Sequence, residues 1–330
     1  MAYTTIDDPE AYFQVKTYTG DGSTPSITLD GDTDMQPDMV WIKNRDATDS
    51  HCLFDSVRTA TEVLHGETSA VEATDADTLT SFDSDGFALG ADVKVNTDTE
   101  AYVAWNWKES ATAGFDIVNN VKNDTDVENV SHNLSAVPHF IIGKSRTGVY
   151  RWICYHKDVG NTHAMYMGAD GEVAKVDSVT FWNDTTPTSS VFTLGADNSW
   201  NGTNIFYVWT DVQGFSKFGS YTGNGNADGP FVYTGFRPAF ILCKSTSEAR
   251  NWFMYDTARS SYNVVDRNLY ANRTEVEYND ADYNAIDILS NGFKFRNNDT
   301  GANNSGEPHI FMAFAEAPFV NSNGVPCNAR

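Results

Sequence analysis

The chain has 330 residues, with 22 Lys plus Arg against 45 Asp plus Glu, a formal charge of −23 and a pI near 4.4. A surface this acidic repels phosphate backbones and anionic bilayers, which argues against nucleic-acid binding through a basic face and against membrane attachment, and no apolar run reaches the roughly 18 residues a spanning helix needs. Hydrophobic residues at 40% and aromatics at 13% suffice for packed cores in two or three domains.

The opening MAYTTIDDPEAYF is acidic, with neither a cationic stretch nor a long apolar one, and reads as an N-terminal arm (1–11) rather than a secretory leader. From Phe13 onward short apolar or β-branched runs alternate with Gly, Asn, Asp, Ser and Thr. YTGDG at Tyr18 supplies the residues of a tight turn. PDMVWIK (Pro37–Lys43) reads as a strand entered through a proline, where a missing N–H costs least. HCLFD (His51–Asp55) reads as a second strand, and Thr59–Leu64 as one short helix. DSDGF (Asp83–Phe87) carries a hairpin signal. It resembles a calcium loop only superficially, since Ser81 and Asp92 stand where that loop wants an oxygen ligand and a glutamate. AYVAWNW (Ala101–Trp107) closes the series as another strand.

The series then starts again. PHFIIGK (Pro138–Lys144) and PAFILCK (Pro238–Lys244) repeat the quoted strand, first 101 and then 100 positions on. WICYH and WFMYD follow them as HCLFD followed the first. SVFTL and NGFKF match DGFAL, and FYVW and IFMAF match the last strand; YTGNG at Tyr221 matches the first turn, whereas VKNDT stands there in the second copy. So many landmarks in one order indicate three copies of a unit of about 100 residues, placed at 12–109, 114–211 and 214–319, with a tail at 320–330. The expected fold is all-β: three tandem β-sandwich repeats, jelly-roll-like, strung as an elongated rod.

Recurring aromatics have a simple cause in such an array, so Trp152, Trp252, Phe87, Phe192 and Phe293 are expected in cores. Asp55, His156 and Asp256 share one position at a strand end and are expected to cap turns. Cys52, Cys154 and Cys243 read as reduced residues inside strands, and Cys327 as exposed. No HExxH, GxSxG or phosphate-binding loop occurs, and His156 and His163 are too far apart for a helical metal pair. No catalytic residue, metal or cofactor is assigned. The second copy carries two unmatched segments, SVTFWNDTTPTSSVF and DNSWNGTN. In them Trp182 and Trp200, beside Asn183 and Asn201, form a candidate glycan surface, because an indole face meets sugar C–H groups while amides meet hydroxyls. The competing reading is that each indole pins its own loop or a neighbouring subunit.

The opening, the series YTGDG, PDMVWIKNRD, LFDSVR, LTSFDSDGFALG, YVAWNWK, and the closing FMAFAEAPF resemble a family of bacteriophage virion proteins common among phages of marine and cyanobacterial hosts, described as tail fibre or structural proteins. The resemblance covers residues 1–319 and is looser in the second copy. It implies a non-enzymatic virion component made in the host cytoplasm, where reduced cysteines fit, and placed at the host-facing periphery. Its partners would be other virion proteins, further copies of itself (a trimer being the usual fibre form) and host surface glycan. A capsid decoration or tail connector is the alternative.

Overall fold

The computed structural model describes residues 2–123, 126–168, 171, 173–279 and 285–327. The fold is all-β, with short helical turns such as Val93–Asn96 and Val179–Trp182 between strands. The first large sheet runs, edge to edge, Phe13–Thr19, Ala101–Trp107, Met39–Asn44, Cys52–Asp55, Thr59–His65, Ala73–Thr74. The same order recurs in a sheet that begins with Phe115–Lys122 and in one that begins with Ser216–Thr222. A smaller sheet covers the outer face of each; in the third sandwich it is Phe231–Tyr233, Gly292–Phe295, Ile286–Leu289.

Both faces of the large sheets are buried, which explains why their strands read as unbroken apolar runs. Alternate residues point opposite ways. Val40 and Ile42 enter the core of the first sandwich, and Met39 and Trp41 enter a different one. That second core is shared. Trp41, Trp105 and Trp107 of the first unit, Phe140, Tyr207 and Trp209 of the second, and Phe240, Met312 and Phe314 of the third belong to one cluster. Ring centroids of Trp107 lie 6.3 Å from Trp209, 5.8 Å from Phe314 and 5.9 Å from Phe240. The expected rod is therefore corrected: the three sheets close around a common aromatic centre, because their inward faces are as apolar as the faces turned to the small sheets.

Thr59–His65 is a strand, not a helix; Thr59, Thr61 and Val63 are β-branched at period two, and the segment pairs with Cys52–Asp55. Asp83 faces Gly86, and Leu289 faces Gly292, across two-residue hairpin loops, as the Asp-Gly and Asn-Gly pairs indicated. Phe87, Phe192 and Phe293 fill the individual sandwich cores, whereas Trp152 and Trp252 lie in the shared centre. Cys52, Cys154 and Cys243 are buried free thiols and Cys327 is exposed. The lysine ending each quoted strand is also buried. Lys43 donates to the carbonyls of Asn44 and Ala47, Lys144 to Ser145 and Gly148, and Lys244 to Ser245 and Glu248, so each ammonium closes the loop that follows it. Burial lowers them to about 8, 8 and 7.

Candidate functional site

The two indoles proposed for glycan binding are placed where no sugar can reach them. Trp200 is 0% exposed and Trp182 2%, both in the core of the second sandwich, with centroids 5.5 Å apart. The Trp200 N–H donates to the Phe181 carbonyl. Gly143, which stands where the other units have Ile42 and Cys243, leaves room for two rings: a Cβ there would sit 2.7 Å from the Phe206 ring and 3.0 Å from the Trp200 ring. Asn183 takes the left-handed conformation that ends the turn Val179–Trp182, and Asn201 bonds Asn198 within its own turn. The glycan assignment to these four residues is corrected to a structural one, because the indole faces it needs are spent on packing.

The surface offers another location. Among the described residues, the aromatic side chains exposed by more than a third are Phe231, Tyr233, Tyr262 and Tyr278, all in the third unit. Phe231 and Tyr233 alternate with buried Val232 and point outward from the small sheet. They lie opposite Lys294 and Gly292. A Cβ at Gly292 would meet the Phe231 ring at 2.9 Å, so that ring rests on bare backbone. Lys294 reaches Asp228 at 2.6 Å and Arg296 reaches Asp287 at 3.1 Å, framing the aromatic pair with charge. The corresponding outward positions in the other small sheets are Ser26 opposite Ala88, and Asn129 and Ser131 opposite Thr193 and Val191. One fold position thus occurs three times, and only one occurrence is aromatic.

Beside this face a cleft of about 540 Å³ opens between Ser216–Thr222 and Phe231–Tyr233, with Tyr221, Val232 and Phe311 of the third sandwich core beneath and Lys157, Asp158 and Lys217 at one end. Lys157 and Lys217 both reach Asp211, at 2.9 and 3.3 Å, and His139 does so at 3.3 Å. Burial works to raise the Asp211 carboxyl, and the bonds from His139 and Lys157 overcome it, holding the acid well below the ordinary range. Glu109 occupies the same place in the preceding linker, two residues after Trp107 as Asp211 is after Trp209. It bonds the Ile117 N–H as Asp211 bonds the Phe218 N–H. Its neighbours are acids instead. Burial, then the hydrogen bond with Asp116 and the charges of Asp116 and Asp38, raise Glu109 to about 7.

The seams between units complete the electrostatic picture. Trp152 N–H donates to the His65 carbonyl, Trp252 N–H to Tyr166, and His51 Nε2 to Tyr270, a ring of links from each unit to its neighbour. At the first/second seam Arg58 and Asp55 pair with both side chains 0% exposed; Arg58 also holds Glu72, which Arg146 of the second unit grips, and the Tyr207 hydroxyl donates to Asp55. The third/first seam repeats this with Arg259, Asp256, Glu277, Arg45 and the Trp105 N–H. Asp55 and Asp256 do accept the N–H of Arg58 and Arg259 three residues on, so the expected turn cap is present, but the ion network across the seams was missed. An Arg at the third position after each Asp was the available signal. His156 accepts the Asp158 N–H in its own turn.

The chain belongs to the family described as Domain of unknown function (DUF7483), which matches residues 8–318. No curated protein matches it.

Proposed function

We propose that this member of the DUF7483 family is a non-enzymatic bacteriophage virion protein, a tail fibre or other peripheral host-facing component, that binds host surface glycan through Phe231 and Tyr233. Carrying this reading is the threefold internal control: the positions equivalent to Phe231 and Tyr233 are Ser or Asn in the other two units and aromatic in the third. Folding alone does not require that difference, since the same sheet forms with Ser or Asn there. Aromatic faces flanked by charged and polar groups suit sugar rings, whose C–H faces are apolar and whose rims are hydroxylated. The overall resemblance to phage structural proteins supplies the setting, and the high negative charge suits a protein crowded on a particle surface. Binding of the full chain to an array of bacterial surface glycans, lost in the Phe231→Ala/Tyr233→Ala double variant, is the expected result. No binding at micromolar protein, or undiminished binding by the variant, overturns the glycan reading.

The alternative, a capsid decoration or tail connector, is favoured by a different observation: the seams and shared core close the three sheets into a body with little freedom between units. Imaging of intact particles separates the two. Hundreds of copies over the shell would replace the fibre assignment.

A further inference from the structure

The cleft beside Phe231 and Tyr233 has a backbone chemistry of its own. Ser216–Thr222 is the outermost strand of the third large sheet, and Phe231–Tyr233 the outermost of its small sheet. In an antiparallel pair, alternate residues turn their N–H and C=O toward the partner and the rest turn them away. The Gly223 N–H bonds the Glu307 carbonyl and the Ala315 N–H the Phe215 carbonyl, in line with the strand register. Odd-numbered residues therefore face the partner strand, and Phe218, Ser220 and Thr222 face the cleft. Asp211 takes the Phe218 N–H. Ser220 and Thr222 have no backbone partner on that side among the described residues. Across the cleft the Thr234 N–H bonds Asn291, so Phe231 and Tyr233 likewise direct their backbone groups into the opening.

The sister sandwiches close this mouth with side chains. Gln14, opposite Asn106, accepts the Gly31 N–H across the gap, and Lys16 reaches Asp30. Asp116, opposite Val208, accepts the Asn133 N–H. The residue at that register in the third unit is Lys217, opposite Ala313, and its ammonium turns to Asp211 instead. Among the described residues no side-chain bond of this kind bridges the mouth, and its floor is apolar.

We propose that this mouth is a docking site for an extended polypeptide strand of a partner protein, which adds to the Ser216–Thr222 edge and seats alternate apolar side chains on Tyr221, Val232 and Phe311. Unpaired edge groups are complementary to another strand and to little else: main-chain bonds supply affinity and the floor selects alternating side chains. A sugar would use the outward ring faces, not these amides, so this site stands apart from the glycan reading.

The probe is a capped ten-residue peptide of alternating Thr and Val at millimolar concentration, with hydrogen exchange of the full chain as readout. The expected result is exchange slowed about tenfold at Ser220 and Thr222, with no slowing by the same peptide N-methylated throughout, which cannot form edge bonds. Ser220→Pro, tolerated where an edge N–H faces outward, should abolish the protection; the N-methylated control gives the same discrimination without altering the protein. Protection by both peptides alike, or by neither, overturns the proposal. Glycan binding that survives Ser220→Pro and fails in Tyr233→Ala would leave the glycan reading intact whichever way the peptide result falls.

Discussion

The second/third seam and its two counterparts share a backbone and differ in chemistry. In all three a ring N–H crosses to a carbonyl of the neighbouring unit. In all three a backbone bond also runs across: Glu72 N–H to Arg146, Glu277 to Arg45, Lys175 to Thr246. Yet the buried network exists only twice. At the second/third seam His156 replaces the Asp, Val159 the Arg, Lys175 the Glu, Thr246 the second Arg, and Met312 the Tyr207 or Trp105 donor. Five positions differ together. Backbone bonds and the aromatic centre are thus enough to close a seam, and the ions are retained or lost as a set, because a partial set leaves a buried charge uncompensated.

The sharpest way to break this comparison is to remove one member. Arg58→Met leaves Asp55 without its ion partner and should cost about 3–5 kcal/mol, measured by urea unfolding followed by tryptophan fluorescence. Converting the whole seam, with Asp55→His, Arg58→Val, Glu72→Lys, Arg146→Thr and Tyr207→Met, should cost less than that single change. A five-fold variant as unstable as Arg58→Met would show that the sets are not interchangeable.

A second contrast, within the sandwich cores, carries a similar size. Trp200→Ala should lose about 3–5 kcal/mol through the cavity it leaves, and adding Gly143→Ile should not recover the loss, because a Cβ there meets the Phe206 ring at 2.7 Å whether or not the indole is present.

The two linkers give a pH test. Glu109 is raised to about 7 from an ordinary 4.5, so the folded state holds its proton more tightly; that stabilisation is complete below about 4.5 and is lost as pH rises through 7. Asp211 is lowered, so its contribution is present above its ordinary 3.8 and disappears as the solution is acidified below that. Glu109→Gln should flatten the decline in stability toward neutral pH and leave the acid limb alone; Asp211→Asn should do the reverse. Smallest of all, Phe231→Ala and Tyr233→Ala should shift stability within about 0.5 kcal/mol. A larger loss would mean that these rings serve the fold.

Much of the architecture was legible. Turn residues and proline-led strands marked the elements, and recurrence at near-constant spacing marked the units, because each copy needs the same large residues in its own sandwich core. The closed arrangement was readable in principle: MVWIK and YVAWNW are apolar on both faces, and a lone sandwich needs only one. Trp182 and Trp200 misled because polar neighbours in sequence say nothing about where a side chain turns, while the glycine in PHFIIGK, the one glycine among PDMVWIK, PHFIIGK and PAFILCK, marked the space for the Phe206 and Trp200 rings. Phe231 and Tyr233 escaped notice for the same reason inverted: FVY looks like any buried strand until pairing assigns its faces.

A threefold body assembled from separate identical chains must change all its sides at once. Here the sides are covalently consecutive stretches of one chain, so each can mutate on its own. That is why a single panel can be aromatic, a single mouth open and a single seam without the buried ion network, and why one molecule presents one such panel, in one fixed orientation, to whatever it meets.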